Sequence, residues 1–100
     1  MSVFGDIIST NKPVLIVFYA GWHYLTEDAS TSIQQVADSL GEAVRVIKID
    51  IDRNKELTKK LQINGIPTYM IFYKGELVWR TEALQPTANL ISAIKPFIES

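Results

Sequence analysis

The chain has no cysteine in its 100 residues. No thiol–disulfide exchange, persulfide chemistry or thiolate metal site can be assembled from its own side chains. That absence decides no redox compartment by itself. Charge of neither sign is in excess, with 10 Lys and Arg against 11 Asp and Glu and a net charge of −1. Without a basic surplus to grip a phosphate backbone, no nucleic-acid partner is expected. The apolar runs are far shorter than a membrane span, so no membrane partner is expected either. Met1-Ser2-Val3-Phe4-Gly5-Asp6 lacks the basic start and long apolar stretch of a leader. This predicts a cytoplasmic protein, although a secreted chain trimmed of its leader would read the same way. His23 is the only histidine, and no further ligands stand around it at metal-binding spacing, so neither metal nor cofactor is expected. A phosphate-cradling glycine loop and a Gly-x-Ser-x-Gly elbow are also missing; Gly21, Gly41, Gly65 and Gly75 stand alone.

What is present is an ordinary globular composition, 47% hydrophobic and 21% charged. With no repeat, linker or low-complexity stretch, the chain reads as a single domain over 1–100. Val3, Phe4, Ile7 and Ile8 at helical spacing predict a short helix between Ser2 and Asn11. Val14 to Ala20 is a continuous apolar run of strand length, the pattern of a strand covered on both faces. Thr26-Glu27-Asp28 reads as a helix opening with a capping hydroxyl and two acids, and Gly41 closes that helix. Val44 to Asp52 reads as a second strand. Asn54 caps a short helix through Leu61. Thr68–Tyr73 and Glu76–Thr81 form a hairpin about Lys74-Gly75. Pro86-Thr87 opens a last helix, which Pro96 should kink or fray near its end. The order αβαβαββα predicts an α/β fold. A right-handed parallel βαβ unit extended by a hairpin gives a mixed four-stranded sheet, order 2-1-3-4, with helices on both faces.

Four segments in this order resemble the thioredoxin family over nearly the whole chain: Phe18-Tyr19-Ala20-Gly21-Trp22, Lys48-Ile49-Asp50-Ile51-Asp52, Asn64-Gly65-Ile66-Pro67-Thr68 and Phe72-Tyr73-Lys74-Gly75-Glu76. The resemblance implies a thioredoxin-like fold without the family's first strand. The departures fall on the chemistry. The family's Trp-Cys-Gly-Pro-Cys-Lys is matched by Trp22, His23, Tyr24, Leu25, Thr26 and Glu27. His23 and Thr26 therefore occupy the positions equivalent to the two active-site cysteines. The family's buried aspartate falls on Val17, its helix-kinking proline near Thr31 and its peptide-approach glycine near Ala83. No catalytic residue is assigned.

By resemblance, the Ile66–Pro67 bond is cis and leaves the main chain before the proline free to pair with an extended peptide, a small case of strand addition. Trp22, His23, Tyr24, Leu25, Ile66 and Pro67 are the candidate contacts. Pro67 shaping a turn and aromatics capping the sheet is the plainer alternative. The expected function is a redox-inactive module that binds an extended peptide or protein partner. The alternative is a family oxidoreductase acting on disulfides or glutathione through a partner's thiol, and enzyme activity is not favoured. Lys48, without an aspartate at Val17, should snorkel to the sheet end or meet Glu27 or Asp28. Asp50 and Asp52 read as a solvated strand end. If the family's first strand is missing, the Val44–Asp52 edge is open, which predicts a monomer or a weak homodimer through it.

Overall fold

The computed structural model describes residues 3–98. Its elements are α1 (Val3–Ile8), β1 (Val14–Tyr19), α2 (Thr26–Leu40), β2 (Arg45–Asp50), α3 (Lys55–Lys60), β3 (Thr68–Tyr73), β4 (Glu76–Thr81) and α4 (Thr87–Ile98), with a 3₁₀ turn at Gly41–Ala43. The four strands form one sheet in the order β2-β1-β3-β4, as the pattern predicted. β1 runs parallel to β2 and antiparallel to β3, and β3 runs antiparallel to β4.

β1 lies in the middle of the molecule and its first five residues are all buried. Strand side chains alternate between faces. Val14, Ile16 and Phe18 therefore pack with Met70 and Phe72, with Phe4 and Ile8 of α1, and with Leu57 of α3 and Leu61 just past its end. Leu15 and Val17 point the other way, with Tyr69 and Ile71, against Ala29, Ile33 and Val36 of α2 and Leu90 and Ile94 of α4. Each fully buried branched side chain contributes about 1.5–3 kcal/mol on burial. The strand that reads as covered on both faces is so because two helices close each side.

Several boundaries and caps differ from the expectations. The second strand ends at Asp50, because Ile51 and Asp52 already turn toward α3. Thr26 is not the cap of α2. Leu25 holds that position without a side-chain bond, and the Thr26 hydroxyl instead turns back to the Ala20 carbonyl, one step beyond β1. Asn54 stands at the start of α3, but its amide donates to the Asp50 carbonyl at 2.9 Å rather than capping the helix. α4 continues to Ile98, two residues past Pro96; the missing N–H falls near a helix end that has few bonds left to lose. Gly41 does close α2, with φ 54° and its N–H on the Ala37 carbonyl. Lys74 and Gly75 have φ of 53° and 84°. These left-handed values at both central positions suit the two-residue hairpin between Tyr73 and Glu76.

One transverse row matters for function. Lys48 pairs with Val17, Val17 with Tyr69 and Tyr69 with Thr81. Directly opposed residues share a face, so this row runs across all four strands beneath α2 and α4.

Candidate functional site

The site stands where β1 and β3 leave the sheet at the same end. Phe18 pairs with Thr68. Two residues beyond Phe18 the chain reaches Ala20, and one residue before Thr68 lies Pro67. The Trp22–Thr26 segment and the Ile66-Pro67 turn are therefore neighbours at one rim of the sheet. No hydrogen bond or ring contact joins them among the described residues. The Ile66–Pro67 bond is cis, as the resemblance implied. Pro67 is buried and Ile66 half-buried. The Thr68 hydroxyl donates to the Gly65 carbonyl at 2.6 Å and ties the two sides of the turn together. The main chain of Ile66 makes no hydrogen bond among the described residues.

The loop after β1 is anchored through its main chain while its large rings face outward. The His23 N–H donates to the Ala20 carbonyl at 3.0 Å and the Thr26 N–H to the His23 carbonyl at 3.1 Å. The His23 Nδ1 accepts the Leu25 N–H at 3.2 Å. An accepting Nδ1 carries no proton, so in this arrangement any imidazole proton sits on Nε2. The His23 ring stacks on Tyr24 with centroids 4.7 Å apart and planes 22° off parallel, and meets Trp22 edge-on at 5.7 Å. Trp22 is 71% exposed and Tyr24 83%. Both rings are open to solvent and leave apolar surface uncovered at this rim.

Sequence reasoning missed Asp52. Its carboxylate accepts the Trp22 indole N–H at 2.8 Å, and its own N–H donates to the Asp50 carboxylate at 2.8 Å. The two acids stand at a solvated strand end, as expected, and also form a two-step prop beneath the indole N–H. Trp22 and Asp52 are 30 residues apart, and no local spacing links them. Lys48 also departs from one expected arrangement. It reaches solvent, but it meets neither Glu27 nor Asp28; its Nζ lies 5.3 Å above the Tyr19 ring. The one ion pair among the described residues is Arg80–Glu82.

The row beneath the site carries no carboxylate. Val17 is 1% exposed, and its neighbour Tyr69 is fully buried with a hydroxyl that has no hydrogen-bond partner among the described residues. Burial pushes that hydroxyl above the ordinary tyrosine pKa. The Gln85 main chain acts weakly in the other direction without completing a hydrogen bond. Neither the Val17 side chain nor the buried Tyr69 hydroxyl can take or give a proton near neutral pH. Among the described residues no three His, Asp or Glu side chains come together as a metal ion would require. No helix among them is long and apolar enough to cross a membrane.

The thioredoxin family model matches residues 2–96. The chain is 34% identical over 87 residues to a thioredoxin-like protein of Synechocystis sp., covering 87% of this chain and 83% of that one. It is 32% identical over 99 residues to the chloroplastic thioredoxin Y of Oryza sativa subsp. japonica, and spans 98% of its own length but 59% of the rice protein's. Among solved structures, a mutant thioredoxin from Halobacterium salinarum NRC-1 superposes with a TM-score of 0.87 at 30% identity, covering 97% of this chain and 84% of the other. The chain belongs to the thioredoxin family. It does so without any cysteine, so it has no thiol of its own with which to perform the exchange chemistry on which a dithiol active site depends.

Proposed function

We propose that this chain is a binding module, which holds an extended peptide or a partner protein's loop across the rim formed by Trp22–Leu25 and Ile66-Pro67. The observation that carries this reading is the pairing of two features at one end of the sheet. Trp22 and Tyr24 expose apolar rings, and the Ile66 main chain beside them has both its donor and its acceptor unused among the described residues. A guest strand supplies main-chain groups to Ile66 and seats its side chains on the rings. The contact is small, so affinity is weak and exchange fast. His23 orients Tyr24 by stacking, and Asp52 orients Trp22; neither has a chemical step to perform.

The direct test is an amide-resonance titration with a panel of unstructured apolar decapeptides. Shifts concentrated at Ile66 and the Trp22–Leu25 segment, lost in a Trp22→Ala/Tyr24→Ala double variant, support the reading. Shifts elsewhere, or none with any peptide, reject it. Catalysis through a partner's thiol is disfavoured by Val17, which leaves no buried carboxylate to assist proton transfer. Turnover in an insulin-reduction or glutathione-coupled assay by cysteine-free protein would reinstate it.

A further inference from the structure

A second surface lies along the open side of β2. Among the described residues β2 pairs only with β1. The Arg45 N–H donates to the Pro13 carbonyl at 3.0 Å and the Ile51 N–H to the Tyr19 carbonyl at 2.9 Å. Alternate residues of a strand turn their main chain to the same side. Arg45, Ile47, Ile49 and Ile51 therefore face β1, while Val46, Lys48 and Asp50 turn their N–H and C=O outward. The Asp50 carbonyl is already occupied by the Asn54 amide. That leaves Val46 and Lys48 as the residues whose outward donor and acceptor are both unused among the described residues. A groove of about 550 Å³ runs along the same two residues, with Glu27 and Gln34 of α2 on its other wall.

We propose that this edge pairs with the same edge of a second copy, antiparallel about a two-fold axis through Ile47. A two-fold axis perpendicular to the sheet keeps each face on its own side, so opposed residues must share a face. With Ile47 opposite itself, Val46 of each copy exchanges both main-chain bonds with Lys48 of the other, and all four outward groups on each copy are satisfied. No like charges stand directly opposed: Lys48 faces Val46, and Arg45 faces Ile49. Sliding the axis to Lys48 sets ammonium against ammonium and requires the Asp50 carbonyl that Asn54 has taken. The groove supplies the charge argument. Glu27 and Lys48 line it together, and neither is in an ion pair among the described residues. The axis gathers two of each, so the two ammonium groups meet two carboxylates.

The absence of cysteine makes the test clean, because one introduced thiol reports only on its own neighbourhood. A non-hydrogen-bonded antiparallel pair has its Cα atoms about 4.5 Å apart, within the range a disulfide spans. Under mild oxidation Ile47→Cys should form a covalent dimer at least about ten times faster than Lys48→Cys, whose own copy lies off the axis. In sedimentation velocity the parent chain should show a dimer fraction that grows with concentration. Val46→Pro removes only an outward N–H, a place where an edge strand tolerates proline. It should weaken association about ten- to a hundredfold, since two symmetry-related hydrogen bonds are lost. If that variant misfolds by circular dichroism, the thiol pair alone decides, since it alters no main-chain group. A parent chain that stays monomeric up to about 1 mM overturns the proposal. Cross-linking at Lys48 that equals or exceeds that at Ile47, or a dimer indifferent to a folded Val46→Pro, does the same.

Discussion

The Lys48–Val17–Tyr69–Thr81 row crosses the sheet just before β1 gives way to the Trp22–Tyr24 loop, yet the two are built on opposite terms. In the row, Val17 and Tyr69 are sealed beneath α2 and α4 and contribute packing. In the loop, the main chain is tied back to Ala20 while the rings are left in solvent. By the resemblance, Val17 and the loop stand at the positions of the family's buried aspartate and two cysteines, and this chain has neither group there. The fold does not suffer for it. Apolar burial holds the sheet together, and a valine serves that purpose better than a buried carboxylate would. What differs is what each region can still do: Val17 and Tyr69 can only pack, whereas the loop retains a surface.

The sharpest way to break this contrast is to attack the packed side. Ile33→Ala, on the inner face of α2 and nearly fully buried, should cost about 2–5 kcal/mol in chemical denaturation. A loss below about 1 kcal/mol would mean that the α2 face is not the packed layer described. A smaller effect of opposite sign is expected at Tyr69, where the hydroxyl is buried and unpartnered. Tyr69→Phe removes an unsatisfied polar atom and should stabilise the fold by about 1 kcal/mol at neutral pH.

The same hydroxyl gives a pH signature. Its folded pKa is raised by burial, so its ionisation is disfavoured in the native state relative to the unfolded chain, which ionises near 10. The contribution of neutral Tyr69 is complete below that value and is lost as pH rises through the raised folded pKa. The gap in stability between Tyr69→Phe and the parent chain should therefore widen on the alkaline side; a gap independent of pH would contradict the burial. The smallest effect belongs to the loop. Asp52→Ala removes the acceptor of the Trp22 indole and should change stability by less than about 1 kcal/mol, because the bond is exposed. It should still alter Trp22 fluorescence, and it should weaken peptide binding if the indole's direction matters.

The residues differ in how far they announce themselves. The strand at Val14–Tyr19 and the alternation that sends Leu15 one way and Ile16 the other are written in the order of side chains. So are the hairpin at Lys74-Gly75 and the helix end at Gly41. The rim was legible through likeness to a known pattern rather than through composition. Asp52 was not legible at all as a partner of Trp22. Thr26 looked like a helix cap because a hydroxyl before acids often is one; in the fold its nearest acceptor is the Ala20 carbonyl at the strand end.

By itself the amino-acid order determined the elements, their sequence along the chain and the absence of thiol chemistry. Hydrophobic period and residue identity are local properties, and a missing sulfur cannot be supplied by folding. Only the tertiary structure decided that Lys48 lies over Tyr19, that Asp52 braces Trp22, that the Tyr69 hydroxyl goes without a partner, and that Val46 and Lys48 turn their main chain outward. Each of these depends on which distant segments meet and in what register, and that is set by packing two helical layers onto one sheet.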